Sequence, residues 1–351
     1  SNETYEIEIE LLGAGDVHTG KQINKAIMVI LAGLQQTNYP SSLDEQKHVL
    51  GEYIKLIHDG KAYKQISSKN FIGPPPVTLQ HENLNINSKF NIMSNYTVTD
   101  KADGSRKILY IAPSKKIYML DTNLNVQFTG CIVIEDDLVG TIIDGEHILH
   151  DKKGAFMNMF AAFDIYYLSG KSVRRKKFTS GESNRLSILK EVIRALSSGV
   201  MSLSGGASPL RIECKEFLIA DDTHTIYQLC AKLFEKEYEY ETDGCIFTHQ
   251  NEEVAGAEGA IKKTQWSTFK WKPAAFNTID FLVRTKKDVN GRDLIGNRFG
   301  GNTAVTGISI IKYKTLDLMV GYDKNQHDVP CKRILENNYR KGGRNYAAAK
   351  F

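Results

Sequence analysis

Lys101-Ala102-Asp103-Gly104-Ser105-Arg106 is the stretch on which the reading of this chain turns. Alone, K-x-D-G-x-R also describes a polar turn after a strand, with Gly104 supplying a positive φ. Four further segments follow it in order: Asp144-Gly145-Glu146, Phe163-Asp164-Ile165, Asp243-Gly244-Cys245-Ile246 and Lys270-Trp271-Lys272-Pro273. Each has an ordinary structural reading. Asp-Gly is a common turn dipeptide, Phe163 near Phe160 suits a core, and alternate lysines suit the exposed face of an edge strand. Five such segments in one order are a far rarer coincidence than any one of them.

Working outward, residues 96–273 read as short strands with interposed helices. ILYIA (108–112), IYML (117–120), CIVIE (131–135), the segments ending at Phe163 and Phe217, and CIFT (245–248) have strand composition. Residues 184–197 and 224–236 carry apolar residues at helical spacing, the first closed by Gly199. Upstream, Ile23, Ile27, Ile30, Leu31 and Leu34 predict a helix over 21–35. Ser42 and Glu45 predict a capping box opening a second helix with Val49, Leu50, Tyr53, Ile54 and Ile57 on its apolar side. The prolines of FIGPPPVTL (71–79) forbid a helix and predict an extended linker. YEIEIELL (5–12) alternates and predicts a strand with Glu6, Glu8 and Glu10 on one face. Beyond Pro273 the pattern is all strand, TIDFLV (278–283) and TLDLMV (315–320), separated by a Gly-rich loop at 296–307.

The 351 residues suffice for two domains, and 41% hydrophobic with 25% charged residues is ordinary globular composition. A formal charge of only +4 means that a nucleic-acid partner has to be argued from local patches. Five scattered cysteines without a C-x-x-C pair speak against a zinc ribbon or a disulfide framework and suit a reducing compartment. The nine histidines show no metal-ligand spacing. No apolar run reaches membrane-spanning length and no signal peptide is visible. There is no initiator Met, and Ser1-Asn2 resembles a cloning remnant, so the expectation is a fragment of a longer polypeptide.

The five ordered segments resemble the motif set of the covalent nucleotidyltransferases: ATP-dependent DNA ligases, RNA ligases and mRNA guanylyltransferases. TFKWKP (268–273) and the proline-containing FIGPPPVTL resemble the capping guanylyltransferases in particular. The resemblance spans roughly 70–320. It implies an α+β fold, a nucleotidyltransferase (ATP-grasp-like) domain at 71–273 followed by an incomplete oligonucleotide-binding (OB) domain at 274–351. It implies GMP transfer from GTP, through a covalent lysyl-GMP, to the 5′-diphosphate end of RNA; an ATP-dependent RNA or DNA ligase is the alternative. LDTN (120–123) departs from the family, several of whose members carry an Arg there. No R-x-D-K-type motif stands near the C-terminus, which matches a chain ending inside the barrel.

The chemistry explains the residue types that the resemblance assigns. Lys101 would be the nucleophile. A free Lys amine has a pKa of about 10.4 and attacks poorly at neutral pH, and nearby cations and desolvation favour its neutral form. Lys270 and Lys272 would supply that field and neutralise phosphate charge. Arg106 and Glu146 suit ribose hydroxyls, Phe163 suits stacking on the base, and Asp243 suits a Mg²⁺ or Mn²⁺ bridging phosphate oxygens. Arg174, Arg175, Lys176 and Lys177 form a basic run that is either a solvated loop or a phosphate track for RNA. Glu6, Glu8 and Glu10 resemble the metal-binding strands of tunnel-type RNA triphosphatases, which would make 1–70 the end of such a domain plus a helical linker; a solvated edge strand is the other reading. That fusion is typical of large cytoplasmic DNA viruses. It implies further capping domains in the full-length chain (triphosphatase, methyltransferase), no membrane partner, and a place in the infected cell's cytoplasm or the virion.

Overall fold

A computed structural model of the chain describes residues 6–10, 17–60, 65–221, 223–259, 263–276, 281–300, 309–321 and 346–348. Two compact units divide it, 1–276 and 277–351. In the first, helices α1 (Val17–Gln35) and α2 (Leu43–Ile57) precede strands β1 (Pro76–Thr78), β2 (Tyr96–Ala102), β3 (Ser105–Ile111), β4 (Lys116–Asp121), β5 (Val126–Val133), β6 (Ile142–His150), β7 (Phe156–Leu168) and β8 (Lys171–Ser172). Helix α3 (Arg185–Gly199), β9 (Val200–Ser202), β10 (Arg211–Cys214), β11 (Leu218–Ile219), α4 (Ile226–Glu235), β12 (Thr242–His249) and β13 (Gln265–Trp271) complete it. The second unit holds β14 (Leu282–Thr285), β15 (Ile295–Gly300), β16 (Ser309–Lys314), β17 (Leu316–Gly321) and β18 (Tyr346–Ala348).

Two sheets organise the first unit. One runs β1-β13-β12-β2-β11, and the other runs β10-β7-β6-β3-β4-β5-β9, with β8 paired to β7. The quoted stretch is the passage between them: Lys101 stands near the end of β2 in the first sheet and Arg106 near the start of β3 in the second. Gly104 at the crossing does not have the positive φ expected of it. Its need is space, because a Cβ there would come within 2.8 Å of Glu146 Cγ and of the His147 carbonyl oxygen.

Three apolar clusters hold the sheets and helices together. Leu186, Leu189, Ile193 and Leu196 of α3 pack on Leu109, Ile143 and Phe160 of the larger sheet. Val49, Tyr53, Ile54 and Ile57 of α2 join a second cluster with Tyr110, Tyr118 and Phe128. Ile226, Leu229 and Leu233 of α4 cover Val98, Phe247 and Phe269 of the smaller sheet. Buried apolar area of this kind is what fixes each helix's face and each strand's register.

Four local expectations need correction. Residues 6–10 are exposed and belong to no strand, so Glu6, Glu8 and Glu10 do not form a strand face; alternation alone specifies nothing without a partner ladder. Only half of the capping box forms. Ser42 Oγ accepts from the Glu45 amide at 3.1 Å, but the Glu45 carboxylate accepts from Lys116 Nζ and Tyr118 Oη, both at 2.7 Å, because charge-assisted tertiary bonds are the stronger partners. Helix α1 forms, yet Ile27 and Leu34 on its expected apolar side remain exposed. The Gly-rich segment expected to be a loop begins as strand: β15 pairs with β16 from Ile295↔Lys314 to Gly300↔Ser309, and 301–308 lie outside the described residues. Cys331 also lies outside them, while Cys131, Cys214, Cys230 and Cys245 are free thiols. Among the described residues no helix is long and apolar enough to cross a membrane.

Candidate active site

The two sheets of the first unit enclose a cleft. Thr99, Lys101, Ile246, Thr248, Thr268 and Lys270 line it from the smaller sheet, Arg106, Glu146 and Phe163 from the larger. Side chains far apart in sequence therefore converge because alternate residues of paired strands share a face. Ile246 pairs with Thr99 on one side and with Lys270 on the other, which sets three strands in one row across the cleft wall.

At one end of that wall the β12–β2 ladder breaks. Thr242 opposes Ala102 and Cys245 opposes Asp100, so Asp243 and Gly244 together oppose Lys101 alone. This is a β-bulge, the usual device for re-aiming a side chain. It turns Asp243 toward two lysines: Lys101 Nζ lies 2.7 Å from one carboxylate oxygen and Lys272 Nζ 2.5 Å from the other. Partial burial works against ionisation of Asp243, but the hydrogen bonds and charges of Lys101 and Lys272 outweigh it and hold the carboxyl below its usual range. Asp243 and Lys272 are thus joined to the cleft through Lys101 rather than lining its interior.

A second bulge places Phe163. Asp144 opposes Asp164 and Gly145 opposes Ala162, leaving Phe163 as the unopposed residue of β7. Its ring lies 5.5 Å from the Arg106 guanidinium carbon, and Phe71 stands 5.7 Å from the same carbon. Arg106 is fixed by a fork to Asp144, Nε–Oδ1 at 3.1 Å and Nη2–Oδ2 at 2.5 Å, and by a 2.9 Å bond to the Pro74 carbonyl. Asp144 is fully buried and also accepts from the Tyr166 hydroxyl. A fork of this kind pre-orients a guanidinium that would otherwise be lost among rotamers.

Glu146 opposes Arg106 across the β3–β6 ladder. Burial raises its pKa to about 7, and Lys215 and Arg106 offset that only in part. The folded-state value thus stands above the ordinary 4.5. The associated stability is complete below about pH 4.5 and is lost as pH rises through about 7. Glu146→Gln, which carries no charge, is therefore expected to be more stable than the native chain at pH 8 by up to about 3 kcal/mol, with that advantage vanishing near pH 4.5. Urea midpoints of both proteins at the two pH values check this; a difference independent of pH would contradict it.

Lys215 is a cleft residue that sequence reasoning missed. Its Nζ lies 3.0 Å from Asp100 Oδ2 and also bonds the Asp100 carbonyl, while Tyr240 Oη donates to the same carboxylate at 3.2 Å. Nothing in E-C-K-E-F marks it; only the fold brings it beside Lys101's neighbour. Asp164 and Arg185 are a second missed pair, bonded at 2.8 and 3.2 Å.

The basic run divides. Arg174 is 4% exposed, and its guanidinium bonds the Gly259 carbonyl at 2.7 Å, the Gly256 carbonyl at 3.3 Å and Tyr167 Oη at 3.2 Å. It ties two loops together and is not available to RNA, which corrects that part of the expectation. Arg175 and Lys177 are exposed, and Lys176 bonds Ser183. The loop is anchored where Thr179 N bonds the Gln250 carbonyl at 3.0 Å, beyond the end of β12 opposite to Asp243. Seven residues of extended chain make that roughly 20 Å.

Residues 39–274 match the family described as mRNA capping enzyme, catalytic domain, which is more than half of the 351 residues, and the chain belongs to that family. The probable mRNA-capping enzyme of Acanthamoeba polyphaga mimivirus is 26% identical over 370 residues, covering 93% of this chain and 29% of the relative. The mRNA-capping enzyme of African swine fever virus (isolate Pig/Kenya/KEN-50/1950) is 27% identical over 299 residues, covering 80% and 29%. That of Danio rerio is 26% identical over 246 residues, covering 68% and 38%. The chain therefore spans about a third of the length of these curated relatives.

Proposed function

We propose that this chain carries the guanylyltransferase step of mRNA capping, with Lys101 as the nucleophile. The observation that carries this reading is the shared carboxylate: Lys101 and Lys272 converge on Asp243 at one end of a cleft that Arg106, Glu146 and Phe163 line. In the first half-reaction the Lys101 amine forms a P–N bond to the α-phosphorus of GTP as the α–β P–O bond breaks and pyrophosphate leaves. The proton shed by the amine has the Asp243 carboxylate as its nearest acceptor. In the second, a β-phosphate oxygen of 5′-diphosphate RNA attacks the same phosphorus. The P–N bond breaks, and Lys101 regains a proton as the cap linkage forms.

Lys270 and Lys272 suit the phosphates, Arg106 and Glu146 the ribose hydroxyls, and Phe163 the base face. A divalent cation fits the donor set in one way only. Asp243 offers an ionised carboxylate, and among the described residues no group of three or more acidic, His or Cys side chains gathers around a point. Mg²⁺ or Mn²⁺ is commonly held by one or two carboxylates plus substrate phosphates, and Asp243 would be the protein's share. Such an ion supplies charge neutralisation to the phosphates when bound.

Among its described residues the second unit holds strands, which supports reading 274–351 as part of an OB-type domain, and the first unit supports a nucleotidyltransferase domain over 71–273 that also takes in α2, whose apolar side joins its core. Likeness to mimivirus and African swine fever virus proteins supports a viral, cytoplasmic setting alongside further capping domains. Intact-mass measurement after incubation with a divalent cation and either GTP or ATP tests the central reading. A GMP adduct formed from GTP alone is expected. An AMP adduct formed from ATP alone would replace it with the ligase reading.

A further inference from the structure

The turn between β6 and β7 carries a small surface of lysine and aromatic side chains that the site described above does not use. The turn is fixed: Asp151 N bonds the Ala155 carbonyl at 2.9 Å, and the Asp151 carboxylate accepts from the Lys153 and Ala155 amides, both at 2.8 Å. Lys152 and Lys153 on it are exposed, and neither is held in an ion pair or side-chain hydrogen bond among the described residues. Phe156, at the foot of the turn, is 67% exposed, although its ring sits only 6.2 Å from that of His150. Lys152, Lys153, Phe156, Met157 and Tyr238 line one surface cavity together with Asp151 and Glu239. Asp151 accepts from the turn amides, and Glu239 shares Arg211 with Glu213, both at 2.5 Å, so neither acid holds the lysines and their ammonium groups stay free to meet phosphates.

This surface lies at the Lys101 end of the cleft. The Lys152 amide bonds the Glu239 carbonyl and the Asp103 amide bonds the Glu241 carbonyl, both at 2.9 Å. Two residues of chain span at most about 7 Å. Lys152 is therefore one short step from Asp103, which itself stands two residues beyond Lys101. Arg175 and Lys177, by contrast, belong to a loop anchored past the other end of β12. Unpaired lysines beside an exposed aromatic ring are the combination that holds single-stranded nucleic acid, cations on the backbone and a ring under a base.

We propose that the β6–β7 turn is the seat of the first nucleotides of the acceptor RNA, with Lys152 and Lys153 on its phosphates and Phe156 against a base. The proposal rests on the guanylyltransferase reading, and one set of measurements separates the two. A short, labelled 5′-diphosphate RNA is bound to the 351-residue chain and to Lys152→Ala/Lys153→Ala, Phe156→Ala and Arg175→Ala/Lys177→Ala variants, with affinity followed against salt. GMP transfer from preformed enzyme–GMP to that RNA and labelling by GTP alone are measured in parallel. The double lysine variant is expected to lose roughly 1.4 units of salt slope. It and Phe156→Ala should each weaken RNA binding by about tenfold and slow transfer, with GTP labelling unchanged. Arg175→Ala/Lys177→Ala should leave a three-nucleotide RNA bound as before. Native affinity and salt slope in both turn variants would overturn the proposal. Failure of the native chain to label with GTP would overturn the guanylyltransferase reading instead, and the RNA affinities would still judge the turn.

Discussion

Lys101→Ala is expected to abolish the covalent GMP adduct, leaving no mass gain after incubation with GTP and a divalent cation. No other amine replaces it by position. Lys272 is held on the far oxygen of Asp243 at 2.5 Å, and Lys270 lies on the cleft wall in the row of Ile246. Lys101→Arg should be equally inactive, since a guanidinium does not give up its proton near neutral pH. The loss should be chemical rather than structural. The Lys101 side chain is 22% exposed, and Asp243 keeps its Lys272 partner when Lys101 is removed. Stability should therefore change by no more than about 1 kcal/mol, and GTP should still bind through the remaining cleft residues. An adduct persisting in the Ala variant would place the nucleophile elsewhere. A collapsed urea midpoint would make Lys101 a structural residue.

Gly244→Ala is expected to damage both the fold and the chemistry. A Cβ at this position would overlap the Trp271 carbonyl oxygen, backbone that cannot swing aside, and Gly244 has a φ of +157°. Relief requires β12 and β13 to separate at the bulge that aims Asp243 at Lys101 and Lys272. Strain of this kind costs about 1–3 kcal/mol. A displacement of about 1 Å at the reacting groups costs on the order of a hundredfold in rate. The urea midpoint and the rate of GTP labelling measure the two effects separately. Gly33→Ala is the control: nothing lies within 4 Å of its added Cβ, and helix propensity alone predicts a slight stabilisation. Labelling at the native rate in Gly244→Ala would mean that the bulge does not position Asp243.

Gly244→Ala bears on why an Asp-Gly pair recurs in this chain. At 243–244 the glycine is required because backbone passes where a side chain would be, and the bulge it permits is what presents the acid. At 104 the glycine lets the chain cross from one sheet to the other against Glu146 and His147. Neither is a simple turn, although the dipeptide reads as one.

The sequence by itself determined three helices, most of the strands between 96 and 273, and several of the residues that line the cleft. Apolar spacing placed α2, α3 and α4 because each buries one stripe. Five short segments named Lys101, Arg106, Glu146, Phe163 and Lys270, which line the cleft, and Asp243 and Lys272, which are joined to it through Lys101. Tertiary structure decided the rest. A strand pattern without a partner is not a strand, so the alternating glutamates of 6–10 stand exposed and unpaired to any ladder. Charge in a sequence does not state its depth. Arg174 and Lys215 are both nearly buried, one tying loops together and the other joining Asp100 at the cleft, while Arg175 stands in solvent one residue away. The two bulges are equally invisible in composition, because an extra residue in a ladder is defined only against the strand it fails to match. That mismatch turns Asp243 toward Lys101 and Phe163 toward Arg106.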